Sequence, residues 1–327
     1  MSDPVILTTL GIFPVTVYGL ILALGVGLGL LWMRAGARRV GLPSDAAVRF
    51  GLWALPLGLL GGRALYVALR WGMIVDELGW QQLFRLWDGG FALFGVIPGC
   101  MLAAVCCAKT MRCPTADLLD AAAPGAALAL ALARFAEFFT SQGIGMPVEQ
   151  PWAQWFPLAM QDSYGEWLMP IFFWEGLAAL AVALLAANRL RKNHRRPWEA
   201  SSVWLLGIGS TQVLLESMRT DDLLRLGLVK ASQLAAMCCV LAVAIYWAVQ
   251  AKRAHTGNAR LAWAWTWLAA GVGLCVAIEF ALDKSVIPNG VLYGLMALAL
   301  CGMVIIIQRL HRIAVAEPAL ETQKSLG

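Results

Sequence analysis

LMPIFFWEGLAALAVALLAAN, residues 168–188, runs directly into RLRKNHRR, residues 189–196. A helix needs about 20 mostly apolar residues to cover a hydrocarbon core of roughly 30 Å, and the first stretch has that length with Glu175 as its one charge. The second carries Arg189, Arg191, Lys192, Arg195 and Arg196. Short loops rich in Lys and Arg stay on the cytoplasmic side, so the pair reads as a membrane-spanning helix with its inner end at 189.

Working outward, the same signature recurs. Apolar runs near 14–33, 48–69, 92–108, 117–133, 202–218, 231–250, 261–281 and 289–309 join the stretch at 168–188, which predicts about nine spans. The third and sixth are short, with glycines that would break them or hold them near the membrane normal. Basic residues gather in every second loop: Arg34, Arg38, Arg39 and Arg49, then Lys109 and Arg112, the run at 189–196, Lys252, Arg253 and Arg260, and finally Arg309 and Arg312. The alternate loops carry Asp76, Glu77, Asp88, Glu149, Asp162, Glu166, Asp221, Asp222 and Asp283. The fold class is therefore all-α, a polytopic integral membrane helical bundle with its N-terminus outside and its C-terminus inside. Composition agrees: 60% of residues are apolar, 14% are charged, and mean hydropathy is +0.70. The start, with Asp3 and no basic leader, is expected to stay uncleaved.

The net charge of +5 is mostly loop bias, which favours anionic lipid headgroups over nucleic acid as a partner. Cys100, Cys106, Cys107, Cys238, Cys239, Cys275 and Cys301 fall in spans and Cys113 in an inner loop; none has zinc-site spacing, and no metal or cofactor is expected. Many of the fifteen tryptophans, Trp32, Trp71, Trp87, Trp152, Trp155, Trp198 and Trp247 among them, lie near span ends as an interfacial belt.

Polar groups inside apolar spans are the functional candidates, because an ionisable group in hydrocarbon costs several kcal/mol unless paired or hydrated. Tyr18 in the first span needs a partner or a polar cavity. Gly61 and Gly62 let a helix or a ligand approach the second span, and Arg63 beside them must face something anionic or polar, a structural carboxylate and a lipid phosphate being equally expected. Asp88-Gly89-Gly90 opens the third span on a backbone suited to bends. Arg134 at the end of the fourth is followed by Glu137, close enough to pair if the helix continues, and its planar guanidinium also suits a phosphate. Glu175 has no charge near it in sequence and must find its partner on another helix or stay protonated. Gln212, Glu216 and Arg219 cluster at the end of the sixth, where Glu216 and Arg219 have salt-bridge spacing.

Taken in order, these patches resemble the prolipoprotein diacylglyceryl transferase family. The resemblance rests on Val17-Tyr18-Gly19, on Leu60-Gly61-Gly62-Arg63-Ala64-Leu65-Tyr66-Val67, on Trp87-Asp88-Gly89-Gly90, and on Ala133-Arg134-Phe135-Ala136-Glu137-Phe138 followed by Gly145, Pro151-Trp152 and Phe156-Pro157. Met169-Pro170 through Glu175, Leu215-Glu216-Ser217-Met218-Arg219-Thr220-Asp221-Asp222 and Ser232-Gln233 complete it. It covers about residues 10–250, so the chain divides into a transferase-like membrane domain at 1–250, an extra transmembrane hairpin at 251–313 and a cytoplasmic tail at 314–327.

The resemblance implies an enzyme of the bacterial cytoplasmic (inner) membrane that moves the diacylglyceryl group of phosphatidylglycerol, or another anionic phospholipid, to the lipobox cysteine thiol of a prolipoprotein signal peptide. It implies Arg134 as the phosphate clamp, Arg63 as a second cation, Tyr18 as a donor near the glycerol, and Gly145 as a point of close backbone passage; Gly62, Glu175, Gln212, Glu216 and Arg219 complete the substrate-binding set. Where the family has His or Tyr this chain has Phe94, and where it has Asn and Arg it has Glu137 and Gln212. The histidines, His194, His255 and His311, all read as cytoplasmic, so no imidazole serves an outer site. Either Glu137 acts as the base, or the chain is a relative that binds phospholipid without transfer. A transporter would need an internal repeat, and none is convincing.

Overall fold

The computed structural model describes residues 6–324 except 11, 12, 87, 88, 141, 163, 193–195, 221–224, 227, 228 and 255. The motif residues Trp87, Asp88, Ser141, Asp221 and Asp222, and the histidines His194 and His255, lie outside the described residues. Nine helices are present among the described residues: α1 (Val17–Arg39), α2 (Ala46–Leu69), α3 (Leu93–Met111), α4 (Thr115–Ala136), α5 (Ile171–Leu190), α6 (Glu199–Met218), α7 (Ala231–Arg253), α8 (Asn258–Lys284) and α9 (Asn289–Lys324). Eight of them are long and apolar enough to cross a membrane. The exception is α6, the expected sixth span, which spends positions on Ser201, Ser202, Ser210, Thr211, Gln212, Glu216 and Ser217. The short third span is an unbroken helix of 19 residues: Gly95 and Gly99 pack it rather than break it. α9 continues past 313, so residues 314–324 extend it.

The chain divides into two compact units, Met1–Gly207 with Met218–Leu224 and Ile208–Ser217 with Arg225–Gly327. In the first unit the helices pair where side chains are smallest. α1 lies on α4 with Gly29 and Gly125 backbone to backbone: a Cβ on either glycine would overlap the other's carbonyl. Gly61 and Gly95 do the same for α2 and α3. Between membrane helices, where lipid is as apolar as leucine, contact of this kind replaces the hydrophobic drive. The outward faces carry exposed Leu24, Leu31, Leu52, Leu59 and Leu184, as a lipid-facing surface requires.

α6 starts inside the first unit, and its orphan amides need an acceptor. Asp120 of α4, fully buried, supplies it: Oδ1 accepts the Ser201 backbone N–H at 2.9 Å and the Ser201 hydroxyl at 2.6 Å. Asp120→Ala leaves these buried donors bare and is expected to cost about 1–3 kcal/mol, read as a lower unfolding midpoint in detergent, while Asp120→Asn, whose amide oxygen still accepts, loses less.

Two short sheets flank the helix ends of this unit. β1 (Ile6–Leu10) and β2 (Phe13–Thr16) form an antiparallel hairpin that feeds α1, where Thr16 Oγ1 accepts the Gly19 amide at 3.1 Å. β3 (Ile144–Pro147), β4 (Met160–Gln161) and β5 (Trp167–Pro170) pair in the order β3-β5-β4 and connect α4 to α5 over a small core of Val148, Ala153 and Ala159. The second unit consists of the end of α6, the β6 (Arg225–Leu226) and β7 (Val229–Lys230) pair, and α7, α8 and α9; Gly271 of α8 sits against Met303 of α9.

Candidate functional site

The C-terminal end of α4 and the N-terminal end of α5 meet beneath the β3-β5-β4 sheet, and there four charged side chains close on one another. α4 ends at Ala136 and the chain tightens into a 3-10 turn, Glu137–Phe139, held by the Thr140 amide donating to the Glu137 carbonyl at 2.9 Å. The tightening keeps Glu137 beside Arg134: Nη1 meets Oε1 at 2.6 Å. Arg134 Nε also lies 3.2 Å from Glu175 Oε2 on α5, and Arg219, just past α6, lies 3.2 Å from the same oxygen and 3.8 Å from Glu137 Oε2. Two cations and two anions thus alternate in a formally neutral ring.

Three are buried, Glu175 2% exposed, Glu137 7% and Arg219 8%, and Arg134 is partly so, with its side chain 12% exposed. Charges withdrawn from water repay their desolvation only when mutually paired, which an alternating ring of two and two achieves. Glu175 therefore finds partners on two other segments, and Arg219 turns to Glu175 and Glu137. The Glu216 main-chain carbonyl accepts from Lys230 Nζ at 2.6 Å, within the second unit.

Glycines make the ring possible. Gly143, at φ +71°, turns the chain so that its carbonyl accepts the Phe172 amide at 2.8 Å and starts α5. A Cβ at Gly143 would sit 2.5 Å from Glu137 Oε2. Gly145 forms a bridge with Arg219, and Thr220 N–H donates to the Ile144 carbonyl at 3.0 Å. The close passage at Gly145 is thus used by the chain's own backbone at 218–220, and it aims Arg219. Gly176 leaves room for the Phe135 ring on α5. Residue-type reading passed over Gly143 and Gly176 as site-builders; the signal was Gly143 six residues after Glu137 and Gly176 beside Glu175.

Tyr18 lies within electrostatic reach of Glu137 and Arg134, placing its phenol beside the ring. Phe135, Phe138, Phe156, Phe172 and Phe173 form an aromatic border, with Phe156 and Phe173 centroids 4.8 Å apart and Phe138 and Phe156 each half exposed. Such a border is an apolar surface beside charged groups.

Arg63 stands apart from the ring. It is 5% exposed, and its guanidinium donates to the Gly89 carbonyl at 2.5 Å, the Gly90 carbonyl at 3.3 Å and the Gln82 carbonyl. It therefore faces main-chain carbonyls of the α2–α3 connection, a polar partner in place of an anionic one, and it stacks near Tyr66 at 5.4 Å. Gly62 admits α3: a Cβ there would lie 2.9 Å from Val96, and its carbonyl accepts the Ala92 amide at 3.0 Å. Gln212 and Glu216 are buried in the second unit, at 4% and 3%.

Comparison with known proteins gives the family. The family model described as prolipoprotein diacylglyceryl transferase matches residues 4–249. A phosphatidylglycerol–prolipoprotein diacylglyceryl transferase of Bacillus cytotoxicus is 30% identical over 255 residues, covering 76% of this chain and 92% of that protein. Proteins of the same name from Bacillus licheniformis (30% over 244 residues; 72% and 88%) and Synechococcus elongatus (28% over 242 residues; 72% and 83%) are similar over the same region.

Proposed function

The chain belongs to the prolipoprotein diacylglyceryl transferase family, and from that premise we propose that it transfers the diacylglyceryl group of phosphatidylglycerol to the lipobox cysteine thiol of prolipoproteins, at the outer face of the bacterial inner membrane. In this reaction a sulfur–carbon bond forms at the glyceryl carbon that carried phosphate, and the carbon–oxygen bond breaks with its electron pair going to oxygen. Glycerol phosphate leaves, and the thiol loses its proton. The site must supply a cation for the departing phosphate, an acceptor for the proton, and an apolar track for the acyl chains.

The alternating ring of Arg134, Glu137, Glu175 and Arg219 carries the reading. Arg134 is the phosphate clamp, with Arg219 the second guanidinium beside it, and Tyr18 donates a hydrogen bond near the glycerol. Glu137 takes the thiol proton: its Oε2 is buried without a hydrogen-bond donor, so a lone pair is left open. Gly145 aims Arg219 at the ring, Gly62 and Arg63 hold the α2–α3 pair of the first unit, and Gln212 and Glu216 belong to the second unit. The domain at 1–250 holds the reaction, and the hairpin at 251–313 is an addition to it.

The test is transfer from phosphatidylglycerol vesicles to a lipobox peptide by the purified protein, scored as a mass gain on the cysteine. Wild type is expected to turn over, and Glu137→Gln, which keeps shape but no longer accepts the proton, to slow transfer about 10²–10⁴-fold. Wild type that binds phosphatidylglycerol yet never lipidates the peptide would make the chain a lipid-binding relative without the chemistry.

A further inference from the structure

The second unit holds its own buried polar network, built partly from residues beyond the family match. Its carboxylate is Glu279 of α8, which accepts from Gln233 Nε2 at 2.7 Å. The same nitrogen donates to the Val213 carbonyl on α6 at 3.2 Å, and Gln233 Oε1 accepts the Lys230 amide at 3.0 Å. Lys230 Nζ in turn donates to the Glu216 carbonyl at 2.6 Å. Tyr293 of α9 lies beside Ser217 and within electrostatic reach of Glu279.

Glu279 Oε1 accepts from Gln233 Nε2, so the place of this carboxyl dictates which end of the Gln233 amide faces it. The nitrogen must point at Glu279 and Val213, and the oxygen is left for Lys230. The last carbonyls of a helix have no partner inside it, and that of Glu216 is satisfied by Lys230. Arg219 follows Ser217 by two residues, so the backbone that carries Arg219 leaves a helix end held by this network. A charge inside a membrane helix is costly to keep. Glu279 sits 30 residues past the end of the family match at 249, in the hairpin whose role the family pattern does not require.

We propose that the α8–α9 hairpin supplies Glu279 as a positioning residue for the transfer reaction: it orients Gln233, which with Lys230 fixes the end of α6 and so the aim of Arg219. The inference rests on the transferase reading, and its test separates the two. Full-length wild type, Glu279→Ala and Glu279→Gln are compared in phosphatidylglycerol vesicles for kcat, for KM toward a lipobox peptide, and for amide hydrogen exchange. Glu279→Ala is expected to lower kcat and to speed exchange across 216–220, each about tenfold, with KM nearly unchanged and the α1–α5 amides at wild-type rates. Glu279→Gln, whose amide oxygen still accepts from Gln233, is expected to stay near wild type.

Unchanged exchange at 216–220 in Glu279→Ala would overturn the proposal. So would equal impairment of Glu279→Gln and Glu279→Ala, or a loss of kcat accompanied by faster exchange throughout α1–α5. A wild type without turnover would count against the transferase reading alone, and the exchange comparison would still decide whether Glu279 holds the end of α6.

Discussion

Glu175→Ala is expected to remove about 3–5 kcal/mol of stability, a large share of a whole that amounts to about 5–15 kcal/mol. The reason is the asymmetry of buried charge. Arg134 Nε and Arg219 Nη1 both lie 3.2 Å from Glu175 Oε2, and with that carboxylate gone Glu137 is the one anion left in the ring for two guanidiniums. The ring then carries a net positive charge in a largely buried place. Removing charges in pairs tests the argument: Glu175→Gln with Arg219→Gln restores neutrality, and the double variant should be less destabilised than the two single losses added together. Thermal unfolding in detergent, followed by the loss of soluble folded protein, measures both. Simple additivity would mean that the two side chains do not share their burial.

How much of this was readable in the chain follows from which forces are local. The apolar runs of α1 to α5 and α7 to α9 are local, because hydrocarbon asks the same of each position. α6 is the instructive case: it reads as a span but carries eight polar residues, and one of them, Ser201, is answered by Asp120, 81 residues earlier. Glu175 showed that it needed a partner on another helix or a proton, since it stands as a lone carboxylate among Phe172, Phe173 and Trp174. Which partner depended on Gly143 and Gly145 turning the α4–α5 connection back on itself, and that is a property of the folded backbone. Arg63 was legible only in part for a related reason: a buried guanidinium needs anionic or polar partners, and the carbonyls at 82, 89 and 90 reach its two terminal nitrogens only once the α2–α3 connection is folded. Gly29 and Gly125 reveal their purpose only as a pair, far apart in the chain and touching in space.

Arg134→Ala is expected to slow transfer about 10²–10³-fold, the effect of losing one preorganised donor to developing charge. Two consequences of the ring add up in that variant. The phosphate loses the guanidinium assigned to it, and Glu137 and Glu175 keep Arg219 as the one cation of the ring, so the site turns net anionic and repels the same phosphate. Arg134→Lys should recover little, because one ammonium cannot reach Glu137 at 2.6 Å and Glu175 at 3.2 Å from separate nitrogens while presenting a planar fork. Stability must be measured beside turnover, since removing Arg134 also unbalances the ring; a variant that stays folded at assay temperature yet fails to turn over places the loss in the reaction. Transfer continuing at the wild-type rate in folded Arg134→Ala would take the phosphate away from this ring altogether.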